Sequence, residues 1–263
     1  GFHMIMGDVN DETLKEMDTL VNEGVTDFKL FTAYPGVFLS DDGAIFAAMR
    51  QTAENGGLIL MHAENGVPID VIANANAEAG LTDPYYHGVS RYPIFEGEAV
   101  NRVIRFAEAA EVPVYIVHLS SRDALEEVVR GRDRGAMAFA ETCPQYLFLS
   151  LEDMKNGFEG AKYVCSPPLR PEDHQEDLWR GLVKDDIESA VDRLSDFPPE
   201  NAEKAVVVAP KPTGGVVTLA VVGDVGAMAL RRAAEGIERD LLSQPGVTLV
   251  SLEGDRDLEI SIE

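Results

Sequence analysis

A regular alternation of short apolar segments with helical ones is the feature that most constrains the fold. Residues 58–62 and 112–118 are short, almost wholly apolar runs of the kind buried in parallel sheets. Between such runs lie segments with helical periodicity, for example residues 41–55 and 96–110. This order predicts an α/β fold with right-handed crossovers, and both a barrel and an open doubly wound sheet satisfy it.

Polar side chains stand at or near the carboxyl ends of several predicted strands. These are Lys29, His62, His118 and Glu141. In a (β/α)₈ barrel the carboxyl ends of the strands carry the chemistry, which favours the barrel over the open sheet. Only four or five strands are predicted here, so we expect an incomplete (β/α)₈ barrel.

Lys29 lies within an apolar strand, where a lysine is unusual. Burial would lower its pKa and leave a neutral amine, which can take up CO₂ to form a carbamate that bridges two divalent metals. The alternative is a lysine whose head group reaches solvent while its stem packs on the strand.

His62 and His118 each follow a run of apolar residues, where a neutral imidazole suits Zn²⁺ or Mn²⁺. A hydrogen-bonded core histidine is the alternative for each. Together with Lys29 they form a more specific set, because metal ions at these strand ends could activate water and polarise a carbonyl. The other histidines are weaker candidates, at a terminus, in a polar loop and in an acidic stretch expected to be exposed: His3, His87 and His174.

The charge of the chain excludes one class of partner. A net charge of −24 argues against binding to nucleic-acid phosphates. Such acidity is typical of proteins from a high-salt cytoplasm, and it also occurs in ordinary acidic proteins. No apolar run is long enough to cross a bilayer, no signal peptide is recognisable, and Cys143 and Cys165 form no disulfide framework. We therefore expect a cytoplasmic protein with no membrane partner.

Five motifs in the first two thirds of the chain resemble one family of enzymes. They are FKLFTAY (28–34), MHAEN (61–65), VHLSS (117–121), ETCPQYL (141–147) and SPPLR (166–170). In order and spacing they resemble the hydantoinases and dihydropyrimidinases of the amidohydrolase superfamily, over roughly residues 1–182. The resemblance implies a metal-dependent hydrolase that opens small cyclic amides or imides, and it suggests a homo-oligomer.

The same resemblance implies roles for individual residues. Lys29 would be the carboxylated ligand bridging two divalent metals, zinc or alternatively manganese, and His62 and His118 would bind the second of them. Tyr34 would donate a hydrogen bond to the oxyanion, and the backbone of Ser166 would hold the substrate ring. Without the resemblance, Tyr34 is a packed aromatic residue and Ser166 a turn residue before proline.

Two family features have no counterpart in this sequence. The H-x-H pair of the first barrel strand is absent, and no segment after Arg170 resembles the family's metal-binding aspartate. We therefore expect a truncated, impaired enzyme. Two alternatives stay open: a non-catalytic assembly or binding homologue, or a chimeric fragment with no activity.

A change of pattern near residue 182 predicts a second domain over residues 183–263. Strands at 204–208 and 216–223, a helix at 227–243 and a hairpin at 247–263 predict a small α+β unit of the ferredoxin-like kind. The segments QPGV (244–247) and GDRDLEISI (254–262) resemble the porter domain of resistance-nodulation-division efflux pumps. A ferredoxin-like accessory domain is the alternative.

Overall fold

The computed structural model describes residues 2–192, 206–208, 218–220 and 227–242. The chain divides into two compact units, residues 1–179 and 180–263.

The first unit combines a parallel sheet with the helices that connect its strands. Its strands are β1 (His3–Ile5), β2 (Asp27–Phe31), β3 (Leu58–His62), β4 (Val114–Ile116) and β5 (Ala138–Ala140). Its helices are α1 (Asp11–Asn22), α2 (Asp42–Asn55), α3 (Gly66–Glu78), α4 (Pro84–Val89), α5 (Pro93–Ala110), α6 (Arg122–Asp133) and α7 (Pro144–Phe148). Single 3₁₀ segments follow at Leu151–Met154, Gly157–Tyr163 and Glu172–His174.

The strands β1 to β5 pair in chain order, and every pair is parallel. An open doubly wound sheet reverses its strand order at a switch point, whereas a barrel does not. The described sheet shows no reversal, so its order is that of five successive strands of a barrel. The predicted α/β class with a parallel sheet is confirmed.

Local sequence signals account for the helix boundaries. Asn10 accepts hydrogen bonds from two backbone N–H groups of α1, and Asp41 and Ser121 each accept one at the starts of α2 and α6. Gly56 ends α2 with a φ of 76°, a conformation that glycine adopts without strain. Helix α2 therefore coincides with the predicted helical segment 41–55 to within one residue.

Alternate residues of the strands face the helices and form the core. On β2 these are Phe28 and Leu30, both fully buried. Lys29, which lies between them, faces the other side of the sheet, because successive side chains of a strand point in opposite directions. The strand β1 and the short helix α4 were not predicted, and β4 and β5 are shorter than the predicted strands.

Helix α8 (Gln175–Asp192) continues beyond the first unit. The predicted domain boundary near residue 182 falls inside this helix, and the division into domains 1–182 and 183–263 stays a prediction.

The described part of the second unit contains an antiparallel pair, β6 (Val206–Val208) with β7 (Thr218–Ala220), and helix α9 (Ala227–Leu242). They coincide with predicted strands and a predicted helix. The predicted hairpin at 247–263 lies outside the described residues, so the ferredoxin-like arrangement and the efflux-pump resemblance stay predictions. In the described segments, no helix is both long enough and apolar enough to cross a membrane.

Candidate functional site

Strands β2 and β3 present their polar residues on one face of the sheet. Phe31 pairs with His62 in the parallel register, and Lys29 pairs with Leu60, two residues earlier. Residues two apart on a strand point the same way, so Lys29 and His62 share a face. This face is opposite to the one that packs against the helices.

His118 lies two residues beyond β4 and meets His62 directly. The Nδ1 atom of His62 is 3.2 Å from the Nε2 atom of His118, and the two ring centroids are 4.8 Å apart. His118 has a φ of 44°, in the left-handed region that non-glycine residues seldom adopt. Such strained residues cluster at functional sites, because the surrounding structure must hold them in place.

Burial shifts the pKa values of two of the predicted ligands. Desolvation lowers the pKa of Lys29 to about 8, although the nearby Glu141 carboxylate opposes this shift. Desolvation also lowers the pKa of His118 to about 3, and the neighbouring His62 and Lys29 lower it further. His118 is therefore a neutral imidazole at pH 7, and about one tenth of Lys29 is a neutral amine, far more than for an ordinary lysine.

Tyr34 lies three residues beyond β2, with a φ of 64°. Its ring centroid is 5.1 Å from that of His62 and 6.0 Å from that of Phe31. Burial raises the pKa of Tyr34, while a hydrogen bond with Ser166 and the charge of Arg91 oppose the rise. The phenol therefore keeps its proton at neutral pH and can donate it in a hydrogen bond.

Ser166 lies in a cluster that includes a histidine with an unexpected position. His87 was predicted to lie in a polar loop; this is wrong, because it lies in α4 and is partly buried. Its Nε2 atom donates to the carbonyl of Cys165 at 2.8 Å and lies 3.4 Å from Ser166 Oγ. Arg91 Nη1 donates to His87 Nδ1 at 3.1 Å, which fixes the Nε2–H tautomer. His87 therefore links Ser166 to Arg91.

The remaining weak candidates lie elsewhere. His174 was expected to be exposed, and this is also wrong: only 5% of it is exposed, and its Nδ1 atom accepts from the backbone N–H of Arg122 at 3.0 Å. His174 is a hydrogen-bonded core histidine. His3 is largely exposed and lies 3.4 Å from Asp27.

Three residues missed by the sequence reasoning lie buried beside His62. Glu64 Oε2 is 2.9 Å from His62 Nε2, and Arg170 lies between the carboxylates of Glu64 and Glu96. Glu64 and Arg170 belong to the motifs MHAEN and SPPLR. The signal that could have identified them is a charged residue next to apolar ones. Their mutual contact was not predictable, since it joins residues 106 positions apart.

In the parts of the chain that the structure describes, no group of three or more His, Cys, Asp or Glu side chains could hold a metal ion. The site offers two imidazole nitrogens and a lysine of lowered pKa. This donor set suits one divalent metal if the lysine is carboxylated, since the carbamate adds anionic oxygens.

Comparison with known proteins relates this site to one family. No protein-family model matches the chain. The D-hydantoinase of Streptomyces coelicolor is 59% identical over 189 residues, which are 72% of this chain and 40% of that protein. About 70% of the chain is thus similar to proteins of the hydantoinase and dihydropyrimidinase family. The D-hydantoinase of Geobacillus stearothermophilus is also similar, at 42% identity over 191 residues.

Solved structures of this family show the same architecture. The dihydropyrimidinase of Brevibacillus agri matches with a TM-score of 0.69 and 42% identity, over 71% of this chain and 41% of that one. The D-hydantoinase of Bacillus sp. AR9 matches with a TM-score of 0.68 and 41% identity, over 69% and 40%. These neighbours are amidohydrolase barrels of the (β/α)₈ type. The chain spans about 40% of the length of the curated hydantoinases it matches.

Proposed function

We propose that this chain carries the metal-dependent site of an enzyme that hydrolyses small cyclic amides, such as dihydropyrimidine or hydantoin rings. The observation that supports this most directly is the pair of facing nitrogens of His62 and His118 next to a lysine of lowered pKa. The relatives named D-hydantoinase and dihydropyrimidinase supply the substrate class.

The spacing of the two imidazoles suits a shared metal ion. Zinc–nitrogen bonds are about 2.0–2.1 Å long, so two nitrogens on a tetrahedral zinc stand roughly 3.3 Å apart. His62 Nδ1 and His118 Nε2 are 3.2 Å apart. Zinc is the metal that this set favours, with manganese as the alternative. When bound, it would polarise the amide carbonyl and lower the pKa of water.

Lys29 would complete this set as a carbamate. Its neutral amine attacks CO₂, a nitrogen–carbon bond forms and one proton leaves to solvent. The pKa of about 8 supports this step, because an ordinary lysine with a pKa near 10.5 is almost wholly protonated at neutral pH. The family resemblance predicts a second metal bridged by this carbamate. The sequence has no H-x-H pair to bind it, so the second metal remains a prediction.

Tyr34 and Ser166 would act on the substrate. The protonated phenol of Tyr34 lies beside His62 and would donate a hydrogen bond to the oxyanion that forms when water adds to the carbonyl. The backbone at Ser166 would hold the ring, with Cys165 fixed by His87 next to it. The cytoplasmic location and the homo-oligomer remain predictions.

The proposal is tested by ring opening of dihydrouracil and hydantoin. The full chain is assayed with Zn²⁺ or Mn²⁺ and bicarbonate, at low and high salt, beside Lys29→Ala and the matched surface variant Lys155→Ala. Lys155 is exposed, is ion-paired with Glu152 and belongs to none of the five motifs. Activity that is lost only in Lys29→Ala supports the proposal, and activity unaffected by Lys29→Ala would overturn it.

The second candidate is a non-catalytic homologue that binds or assembles without hydrolysis. It is favoured by the finding that no group of three or more His, Cys, Asp or Glu side chains among the described residues could hold a metal ion. Circular dichroism of the same preparations separates the two candidates. A folded chain with no ring-opening activity under any of these conditions would support the second and contradict the first.

A further inference from the structure

A buried guanidinium joins three separate segments of the first unit. Arg170 Nε donates to Ser120 Oγ at 2.9 Å, and its Nη2 atom is 3.0 Å from Glu96 Oε2. Its Nη1 atom donates to the backbone carbonyl of Arg91. The same Nη2 atom lies 3.6 Å from Glu64 Oε1. Arg170 thus holds helix α5, the segment after β4 and the segment after β3 in one arrangement.

All the side chains of this cluster are shielded from water. The exposed fractions are 4% for Arg170, 2% for Glu96, 1% for Glu64 and 0% for Ser120. Two carboxyl groups thus face one guanidinium in a dry environment. Such an arrangement is costly unless each charge has partners, and replacement of one member leaves its partner unpaired.

Glu64 connects this cluster to His62. Its Oε2 atom lies 2.9 Å from His62 Nε2, and both side chains are buried. A carboxylate only accepts hydrogen bonds, so the proton of a neutral His62 must be on Nε2. The lone pair of Nδ1 then points toward His118, 3.2 Å away.

We propose that Glu64 is a positioning residue that holds His62 as its Nε2–H tautomer, and that Arg170 fixes Glu64 in the orientation this requires. The effect of Glu64 on metal binding rests on the proposed function, whereas its effect on the tautomer of His62 does not. A histidine that ligates metal through one nitrogen commonly donates its other N–H to a carboxylate, and loss of that partner weakens metal binding by roughly 10–100-fold.

Arg170 is needed because Glu64 has little else to orient it. Among the described residues, Glu64 Oε1 has no hydrogen-bond partner within 3.5 Å, and the guanidinium at 3.6 Å is its nearest opposite charge. A carboxylate accepts hydrogen bonds and donates none, so Glu64 held in this orientation presents only an acceptor to His62.

The isosteric variant Glu64→Gln provides a sharp test. A guanidinium has no acceptor, so Arg170 would attract the amide oxygen and turn the amide NH₂ toward His62. His62 Nε2 would then have to accept, and the proton would move to Nδ1. Glu64→Asp keeps a pure acceptor and should keep the Nε2–H tautomer.

Glu96→Gln is the matched control. Glu96 contacts the same guanidinium, at 3.0 Å, but its hydrogen bonds go to Ser120 and Arg170 and not to a histidine. It should lower stability without changing the tautomer of His62. A role of Glu64 in stability alone would make the two glutamine variants behave alike.

The measurement is ¹⁵N NMR of histidine-labelled, metal-free full-length chain at pH 8, where an ordinary imidazole is neutral. Only five histidines contribute signals. Zinc affinity is measured on the same samples by competition with a chelator. We expect a single Nε2–H tautomer of His62 in the wild type, Glu64→Asp and Glu96→Gln, with zinc affinity lowered roughly 10–100-fold in Glu64→Gln.

A mixed or Nδ1–H tautomer in the wild type would overturn the proposal, and so would an unchanged tautomer in Glu64→Gln. An equal change in Glu96→Gln would also overturn it. If the wild type shows the Nε2–H tautomer but binds no zinc, the proposed function fails while the positioning role of Glu64 stands.

Discussion

His62 Nδ1 lies 3.2 Å from His118 Nε2, although the two residues are 56 positions apart in the chain. Their neighbouring strands β3 and β4 pair Met61 with Ile116, which brings the carboxyl ends of these strands together. The left-handed backbone of His118 accompanies this contact. Two imidazole nitrogens at this spacing, inside a buried site, are suited to binding a divalent metal.

Because of Lys29, the free energy of unfolding of the metal-free chain should vary with pH in the alkaline range. Its folded-state pKa of about 8 is below that of an unfolded lysine, near 10.5, so the unfolded state binds more protons between these values. The free energy of unfolding should therefore rise with pH across this window, by about 1–2 kcal/mol after allowance for partial exposure.

The measurement is urea unfolding in CO₂-free, chelator-treated buffer at pH 7.5 and 10. Lys29→Met, which has no titrating group, serves as the comparison. As the pH rises from 7.5 to 10, the free energy of unfolding of the wild type should increase relative to that of the variant. A constant difference between the two would contradict the lowered pKa.

His118 should make the metal-free chain sensitive to mild acid. Its folded-state pKa of about 3 is far below the ordinary value of 6.5, so below pH 6.5 the unfolded state gains a proton that the folded state does not. Stability is then lost as the pH falls, by about 2 kcal/mol between pH 7 and pH 5 for this group alone. In His118→Asn the loss over the same pH range should be smaller by this amount. Equal acid sensitivity of the two chains would refute the prediction.

Gly66 allows the start of helix α3 to pass close to the backbone that carries Tyr34. A Cβ atom at position 66 would lie 2.7 Å from Ala33 Cα and 3.0 Å from Tyr34 N. Because backbone atoms cannot rotate away, Gly66→Ala should shift Tyr34 and lower stability by roughly 1–3 kcal/mol. Gly7→Ala is the control, since no described atom lies within 4 Å of its Cβ position. Thermal unfolding of both variants tests this prediction. If Gly66→Ala is as stable as Gly7→Ala, the backbone at Ala33 and Tyr34 can shift without cost and the prediction is wrong.

Tyr34→Phe removes the proposed hydrogen-bond donor and keeps the aromatic ring beside Phe31 and His62. The turnover number for ring opening should fall by roughly 10²–10³, because loss of one oxyanion donor has this effect in other enzymes. Zinc affinity should not change, since the hydroxyl is not a ligand. Steady-state kinetics with both rings, together with a zinc titration, tests this. Unchanged turnover would remove Tyr34 from the reaction.

The sequence predicted the parallel α/β pattern because helix caps and apolar strands are local signals. Asn10, Asp41 and Ser121 cap α1, α2 and α6, and all three belong to the residue types that commonly begin helices. The strand β1 is three residues long and largely exposed, so it lacks the apolar pattern that identifies a strand. For the same reason the six-residue helix α4 was missed, and with it the position of His87.

The site was predicted as a set of strand-end residues, and the structure brings Lys29, His62 and His118 to one face. The interactions that hold them were not predicted. The contact of Arg170 with Glu64 and Glu96 depends on the packing of three distant segments, which no local pattern encodes. The positive φ values of Tyr34 and His118 were not predicted either, because few non-glycine residues adopt this conformation and no local pattern marks those that do.

Zinc stoichiometry tests the central claim most directly. The full chain is refolded or purified with Zn²⁺ and bicarbonate, freed of loose metal by gel filtration, and analysed by inductively coupled plasma mass spectrometry beside His62→Ala and His118→Ala. We predict at least one zinc per wild-type chain and its loss from both variants. A folded wild-type chain that retains no zinc, or variants that retain as much as the wild type, would contradict a metal site between these two histidines.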